Sequence, residues 1–146
     1  MSWRYLRNFQ NLTRIKSKVF IFDLDLTLWN FTVESDKKSG VLYPNVYDTL
    51  GILSKNNKLC IASKGHDAEK SIWYMKKFGI YKFFDQVEII PSDNKPFPFN
   101  TVKKRRHIEY IKARHKGDYI YIDDNINMVC DVCDRYGIES YLYKPY

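Results

Sequence analysis

Residues 19–27 narrow the range of folds open to this chain more than any other segment. Positions 19–22 are an unbroken apolar run of β-branched and aromatic side chains, which is typical of a central parallel strand covered on both faces. Asp23, Asp25 and Thr27 follow at every second position. In extended geometry the two aspartates point the same way and could share one cation. Because ligands bind beyond the carboxyl ends of such strands and unpaired buried charge is costly, this tip indicates a catalytic site.

Strand-like and helix-like segments alternate from this motif onward, which indicates an α/β domain with a parallel sheet. The pattern predicts strands at 18–24, 58–63, 87–90, 119–122 and 138–143, and helices that follow Asn45, that carry Ile72, Met75 and Phe78, that cover 101–115, and that lead from Ile126 to Gly137. We therefore predict a single Rossmann-like domain over residues 18–146, with a parallel sheet of about five strands flanked by helices and no large cap domain.

The first 17 residues have a composition of their own. They contain basic side chains and no acidic one, and apolar residues recur at roughly helical spacing at Trp3, Leu6, Phe9 and Leu12. We expect a basic amphipathic helix that packs on the domain as an N-terminal extension. An organellar transit peptide is the alternative that this composition leaves open.

Composition and charge limit the setting in which the chain works. Three cysteines without a secretory leader favour free thiols in a reducing, cytoplasmic compartment. No apolar run approaches the roughly 20 residues of a membrane span, so we expect no membrane partner. The net charge of +7 favours anionic partners, namely phosphorylated substrates or nucleic acid. The sequence does not indicate an oligomeric state.

Polar side chains suited to chemistry end three of the predicted strands: Asp23 with Asp25, Ser63, and Asp123 with Asp124. Parallel strands present their carboxyl ends at one edge, so these groups should converge. Ionised carboxylates this close repel by about 4 kcal/mol per pair at an effective dielectric near 20, and a divalent cation would offset that repulsion. Oxygen ligands favour Mg²⁺. Such a site supports attack by one aspartate on phosphorus, with the second as general acid and base.

These motifs resemble the haloacid dehalogenase superfamily of phosphatases, and within it the magnesium-dependent phosphatase-1 type. The likeness spans roughly 18–143 and rests on Phe-Asp-Leu-Asp-Leu-Thr-Leu-Trp at 22–29, Leu-Tyr-Pro at 42–44, Ala-Ser-Lys at 62–64, and Asp-Asp followed by Asn at 123, 124 and 127. It implies a nucleophile at Asp23 that forms an aspartyl-phosphate, with Asp25 as general acid and base. It also implies Mg²⁺ held by Asp23, Asp25, Asp123 and Asp124, with Asp124 as a direct ligand, Asp123 either in the metal site or beside it, and the backbone carbonyl of Asp25 as a further contact. Thr27 would fix the turn of the motif, and Ser63 and a lysine that precedes the last motif would contact the phosphoryl group. Thr27 and Lys64 are further candidates for phosphate contacts, with an ordinary surface position as the alternative for Lys64.

Two adjacent lysines compete for that last role. Lys104 lies four residues before Ile108, on the same helical face as Ile108 and Ile111, whereas Lys103 falls with His107 on the other side. The family's Lys-x-x-His spacing also matches Lys104 and His107. We therefore predict Lys104 as the catalytic lysine and a solvated position for Lys103.

The expected function is Mg²⁺-dependent hydrolysis of a phosphate monoester. The segment between the first two motifs is too short for a cap domain, so the site should be open to bulky esters such as a phosphoprotein carrying phosphotyrosine. Two alternatives follow from the basic charge: a polynucleotide 3′-end phosphatase, and a non-catalytic nucleic-acid-binding module on the same fold.

Overall fold

Six parallel strands form the centre of the molecule. The structure is a computed structural model that describes residues 2–35, 40–92 and 103–145. Its strands are β1 (Arg4–Leu6), β2 (Lys18–Phe22), β3 (Lys58–Ser63), β4 (Gln86–Ile89), β5 (Asp118–Asp123) and β6 (Glu139–Tyr143). They form one sheet in the order β1-β6-β5-β2-β3-β4, and each neighbouring pair is parallel.

Four α-helices connect the strands: α1 (Val46–Leu53), α2 (Ala68–Lys77), α3 (Arg105–Arg114) and α4 (Ile126–Tyr136). Local signals set several of their ends. Asp67 caps α2 by accepting a hydrogen bond from the N–H of Lys70, and Asn125 caps α4 in the same way. Gly137 ends α4 in the left-handed conformation that glycine adopts without a steric penalty. None of the helices in the described ranges is long and apolar enough to cross a bilayer.

Both faces of the sheet are buried, as the continuous apolar run in β2 predicts. Phe20 and Phe22 point into one core cluster, together with buried residues of α1 and α2. Val19 and Ile21 point into a second cluster, together with buried residues of α3 and α4. The predicted single-domain α/β fold with a parallel, helix-flanked sheet is therefore confirmed, and no cap domain occurs among the described residues.

The N-terminal helix predicted over residues 1–17 is wrong. Arg4–Leu6 is a strand paired with β6, and a short 3₁₀ helix follows at Phe9–Leu12. Pairing with the edge strand β6 gives the backbone of residues 4–6 hydrogen-bond partners. In this strand Leu6 is buried, with 3% exposure. The apolar residues whose spacing resembled that of a helix lie in two separate elements, Leu6 in the strand and Phe9 and Leu12 in the 3₁₀ helix. This extra strand also raises the sheet from the predicted five strands to six.

Smaller differences lie at element boundaries. The third predicted strand is shifted by one residue, to Gln86–Ile89, and the basic helix begins at Arg105 rather than near 101. The three prolines at positions 91, 96 and 98 predict a loop without helix, and most of residues 91–98 lies outside the described part of the chain, as does part of the polar stretch 30–40.

Candidate active site

The candidate site lies at the carboxyl end of β2, where the order of the strands reverses. The chain adds β3 and β4 on one side of β2, and then returns to add β5 and β6 on the other. Open α/β sheets bind ligands at such a switch point, because the connections there leave in opposite directions and open a crevice. The parallel register pairs Phe22 with Ile122, and the N–H of Asp23 donates to the carbonyl of Ile122 at 3.0 Å. Asp23 and Asp123 are thereby brought side by side.

Lys104 joins these two aspartates. Its Nζ lies 2.7 Å from Oδ1 of Asp23 and 2.8 Å from Oδ2 of Asp123, and its side chain is 2% exposed. Burial alone would lower the pKa of this ammonium group, but the two carboxylates outweigh burial and raise the pKa. Lys104 is therefore charged at any physiological pH. Lys103 has no resolved ion pair with these groups and is only half-buried.

Asp123 is the most firmly held of the carboxylates. Its Oδ2 accepts from Lys104 and from the hydroxyl of Tyr121, and its Oδ1 accepts from the N–H of Asn125 at 3.0 Å. Burial raises the pKa of Asp123, but Lys104 and these hydrogen bonds outweigh burial, so the net pKa is lowered. Asp123 is accordingly an ionised anchor for Lys104.

The pKa values of Asp23 and Asp124 are shifted in the opposite direction, upward. Burial raises the pKa of Asp23 well above its usual range; the charge of Asp123 adds to this effect and Lys104 opposes it. Burial also raises the pKa of Asp124. Carboxyl groups whose pKa is raised by burial and by neighbouring carboxylates are the ones that a cation would return to the ionised form.

Thr27 connects the loop after β2 to the loop after β5. Its Oγ1 lies 2.9 Å from Oδ2 of Asp23 and 3.0 Å from Oδ1 of Asp124, and it accepts from the N–H of Asp124 at 3.0 Å. The side chain is fully buried. Since a hydroxyl has one proton, it can donate to only one of the two carboxylates at a time. Of the roles expected for Thr27, this geometry supports fixing the turn rather than contacting a phosphate.

The turn itself is strained at Leu26, which has a φ of 60°. Residues other than glycine, asparagine and aspartate rarely adopt the left-handed backbone conformation, which costs them on the order of 1 kcal/mol. The hydrogen bonds of Thr27 on one side of this residue hold the conformation. Backbone strain of this kind concentrates at functional sites.

The Asp25 carboxylate is not part of the cluster formed by Asp23, Asp123 and Asp124. Its Oδ1 accepts from Nε1 of Trp29 at 2.8 Å and from the N–H of Val33 at 3.3 Å. Burial raises the pKa of Asp25, and these two hydrogen bonds lower it again in part. The second oxygen, Oδ2, accepts no hydrogen bond from any of the described residues. Asp25 is thus oriented by one oxygen, with the other available for proton exchange.

Ser63 and Lys64 stand at the end of β3, beside β2. Ser63 is 4% exposed, and its carbonyl accepts from the N–H of Ile90 at 2.9 Å. Lys64 is half-buried, and burial together with the charge of Lys104 lowers its pKa. The structure therefore brings both predicted phosphate contacts to the same edge as Asp23; their roles stay predictions.

His107 is the residue that the sequence analysis misplaced. It was expected on the solvent side with Lys103, but it is fully buried, and its Nε2 lies 2.7 Å from the carbonyl oxygen of Ser63. The buried stripe of α3 includes His107, Ile108 and Ile111, which is the i, i+1, i+4 spacing of an ordinary buried helix face. That spacing was the available signal, and the polarity of histidine concealed it.

Three of the predicted metal ligands lie together. Asp23, Asp123 and Asp124 each offer a carboxylate oxygen, and these atoms are within 4.8 Å of one another. The ammonium group of Lys104 forms ion pairs with two of these carboxylates, Asp23 and Asp123, and no ion pair of Asp124 occurs among the described residues, so three ionised carboxylates would exceed the paired positive charge. An all-oxygen donor set of this kind fits a hard divalent cation. The Asp25 carboxylate does not belong to this group, because it is turned toward Trp29.

Comparisons with known proteins add the fold relationship. No protein-family model and no curated protein matches the sequence. Among solved structures, a haloacid dehalogenase-like family hydrolase from Streptococcus pneumoniae is 15% identical, with 88% of this chain and 94% of that chain covered and a TM-score of 0.63. A protein from Clostridium difficile that is provisionally named a phosphatase is 16% identical, with 89% and 95% covered and a TM-score of 0.68.

A third similar structure is a chain of the Pnkp1/Rnl/Hen1 RNA repair complex, at 16% identity and a TM-score of 0.60. The comparison covers 88% of this chain but only 43% of that one, so the present chain spans less than half of its length. At such low identities the three likenesses establish the architecture alone. The chain has the haloacid dehalogenase-like fold.

Proposed function

We propose that the protein is a Mg²⁺-dependent phosphomonoester hydrolase of the magnesium-dependent phosphatase-1 kind. The observation that carries the proposal is the position of Lys104, 2.7 Å from Asp23 and 2.8 Å from Asp123 at the switch point of the sheet. A buried cation that orients one carboxylate and is anchored by another is what nucleophilic attack on an anionic phosphate requires. The fold likeness to a hydrolase and to a protein named a phosphatase supports the same reaction class.

In the first proposed step, an oxygen of the Asp23 carboxylate forms a bond to phosphorus while the bond from phosphorus to the ester oxygen breaks. The leaving oxygen takes the proton of the Asp25 carboxyl group. Burial raises the pKa of Asp25, which favours the protonated form that this step needs. The ammonium group of Lys104 offsets negative charge as the phosphoryl group approaches Asp23.

In the second step, a water molecule gives a proton to the Asp25 carboxylate while its oxygen forms a bond to phosphorus. The bond between phosphorus and Asp23 breaks, which releases inorganic phosphate and restores both side chains. Asp25 suits both steps because Trp29 and Val33 hold one of its oxygens while the other exchanges protons. Ser63 and Lys64 are the proposed contacts of the phosphoryl oxygens.

The carboxylates proposed to hold Mg²⁺ are Asp23 and Asp124, the two whose pKa is raised, with Asp123 beside them. The bound ion would offset their negative charge and attract a phosphoryl oxygen. The backbone carbonyl of Asp25 remains a predicted additional contact. For the substrate we propose a bulky ester such as phosphotyrosine in a protein, since no cap covers this edge in the part of the chain that the structure describes.

The test is hydrolysis of para-nitrophenyl phosphate by the wild type, Asp23→Asn and the control Asp118→Asn. Asp118 lies at the opposite end of β5 with a side chain 83% exposed. We expect Mg²⁺-dependent turnover that EDTA abolishes, a loss on the order of 1,000-fold or more in Asp23→Asn, and none in Asp118→Asn. Turnover by Asp23→Asn at the wild-type rate, or indifference to EDTA, would contradict the proposal.

A second candidate function is a polynucleotide 3′-end phosphatase. The fold likeness to a chain of an RNA repair complex favours it, as does the net charge of +7.

A 3′-phosphorylated oligonucleotide separates the two candidates. If the polynucleotide function is correct, kcat/KM for the oligonucleotide exceeds that for para-nitrophenyl phosphate, and it falls by an order of magnitude or more between 50 and 200 mM salt. Equal rates on both substrates with a weak salt dependence would exclude this candidate.

A further inference from the structure

The start of α3 contacts the ends of three strands of the sheet at once. Lys104 immediately precedes the helix, and its carbonyl accepts the first helical hydrogen bond, from the N–H of Ile108 at 3.0 Å. Its side chain crosses to Asp23 at the end of β2 and Asp123 at the end of β5. Three residues further on, His107 crosses to β3 through its contact with the carbonyl of Ser63. One turn of helix therefore joins the ends of the three central strands.

The His107 contact has a defined direction. A carbonyl oxygen accepts and cannot donate, so Nε2 of His107 bears the proton and Nδ1 bears a lone pair. At 2.7 Å between Nε2 and the oxygen, this is a short, well-formed hydrogen bond. Nδ1 is buried and has no partner in the described part of the chain. Burying a ring nitrogen that makes no hydrogen bond costs free energy, so a fully buried histidine at this position calls for a specific reason.

We infer that His107 is a positioning residue of the active site, which holds the end of β3 against the first turn of α3, directly after Lys104. Through this bond, the hydroxyl of Ser63 and the ammonium group of Lys104 keep a fixed separation across the position of the phosphoryl group. The inference rests on the proposed function, and it adds a residue that contacts neither the substrate nor the metal.

The surroundings of the ring keep it neutral. The pKa of His107 is lowered to about 4: burial is the largest cause, the nearby charges of Lys104, Lys64 and Arg106 act in the same direction, and the bond to Ser63 opposes them. The bond therefore persists through the physiological range, and the effect of His107 on the site does not depend on pH there. A general base with this ring would instead titrate near neutral pH.

Two amide substitutions separate a positioning role from simple packing. In His107→Gln the side-chain NH₂ lies three bonds from Cβ, as Nε2 does in histidine, so it can still donate to Ser63. In His107→Asn the NH₂ lies two bonds from Cβ, where Nδ1 was, and the donor no longer reaches. Both substitutions place an amide in the same buried space, so the free energy of burying a polar group should be similar in the two variants.

With para-nitrophenyl phosphate and Mg²⁺, we expect His107→Gln to stay within about threefold of the wild-type kcat/KM. We expect His107→Asn to lose on the order of 10–100-fold, the range for losing a partner that orients a site residue. The loss should fall on kcat rather than KM, because the phosphoryl contacts tighten in the transition state. His115→Asn, at the far end of α3, is the matched control. Equal losses in His107→Gln and His107→Asn would overturn the inference.

A second measurement does not depend on turnover. In ¹⁵N NMR spectra of the wild type, the His107 ring should be protonated at Nε2 and not at Nδ1, with no titration between pH 5 and 8. A ring protonated at Nδ1, or one that titrates in this range, would overturn the inference even in an active enzyme. An inactive wild type with the expected spectrum would instead contradict the proposed function and leave the bond to Ser63 established.

Discussion

At the scale of single residues, the site separates four carboxyl groups by their surroundings. Asp123 has a lowered pKa because Lys104 and hydrogen-bond donors surround it, whereas burial raises the pKa of Asp23, Asp25 and Asp124. Titratable groups with oppositely shifted pKa values are typical of acid–base and metal chemistry. At this scale, the pKa shifts of Asp23, the proposed nucleophile, and of Asp25, the proposed acid, can each be tested.

Asp23→Asn should stabilise the metal-free protein although it removes activity. The pKa of Asp23 is higher in the folded than in the unfolded chain, so its contribution to stability is fully present below the ordinary value of 3.8 and is lost as the pH rises through the folded value. Removing the titrating group removes that loss. We expect Tm at pH 7 to rise by about 2–4 °C, which corresponds to about 1 kcal/mol in a chain of this size.

The measurement is thermal unfolding from pH 4 to 8 in EDTA. The difference between Asp23→Asn and the wild type should be small at pH 4 and grow with pH, and Asp118→Asn should show no such trend. Excess Mg²⁺ should reverse the order, because the wild type gains stability from binding. A variant that is less stable than the wild type at every pH would show that Asp23 is not under electrostatic strain.

Trp29→Phe should shift the pH profile of catalysis. The indole N–H of Trp29 donates to Asp25 and lowers its pKa, so a phenyl ring at this position leaves the pKa of Asp25 higher. Since the first proposed step needs protonated Asp25, the alkaline limb of kcat/KM should move to higher pH. The smaller ring should also cost about 1–3 kcal/mol of stability. Trp73→Phe, at a site 57% exposed, is the control that should change neither property.

At the scale of elements, the start of α3 organises the site. Lys104 precedes the helix in a non-helical conformation, with φ −90° and ψ 27°, and the next residue, Arg105, pairs with Asp131 of α4 at 2.9 Å. The start of α3 is therefore held by contacts with β2, β5 and α4. Because the cation belongs to the helix start and the carboxylates to the strand ends, the site exists only when these elements are docked.

Replacement of the two adjacent lysines measures this dependence. Lys104→Met should lower kcat by on the order of 100-fold or more, since a buried charged contact to the reacting group is lost. It should also destabilise the protein by about 3–5 kcal/mol at neutral pH, because Asp123 loses its buried partner. Lys103→Met, half-buried and outside the ion pairs, should alter both by little. Kinetics and urea unfolding of the two variants test this, and the reverse order would contradict the assignment.

At the scale of the whole molecule, the first strand completes the sheet. β1 pairs with the outer edge of β6 from Arg4 to Leu6, and the N–H of Lys144 donates to the carbonyl of Leu6 at 3.0 Å. Leu6, Phe9 and Leu12 join the same core cluster as Phe22. The N-terminal residues are thus part of the domain core rather than an appendage to it.

Leu6→Ala should therefore destabilise the protein by about 2–4 kcal/mol, as for other buried leucines. Tyr5→Thr, at a neighbouring position 55% exposed, keeps the β-propensity of the strand and should change stability by about 0.5 kcal/mol or less. Urea unfolding followed by circular dichroism measures both. Equal effects of the two substitutions would show that β1 is not integrated into the core.

The sequence by itself determined the features that depend on local pattern. The apolar run before Asp23, the alternation of strands and helices, and the glycine that ends α4 are each encoded within a few residues, so the parallel α/β fold could be predicted from them. The convergence of Asp23, Ser63 and Asp123 also followed, because parallel strands place their carboxyl ends at one edge.

Only the tertiary structure decided the features that depend on distant neighbours. Residues 4–6 form a strand because the edge of β6 lacks a partner, and β6 is more than 130 residues away. The Asp25 carboxylate lies apart from the cluster of Asp23, Asp123 and Asp124 because Trp29 and Val33 donate hydrogen bonds to it. His107 can be buried because the carbonyl of Ser63 accepts a hydrogen bond from its ring. Buried polar groups must find hydrogen-bond partners, and only the packed chain shows where those partners lie.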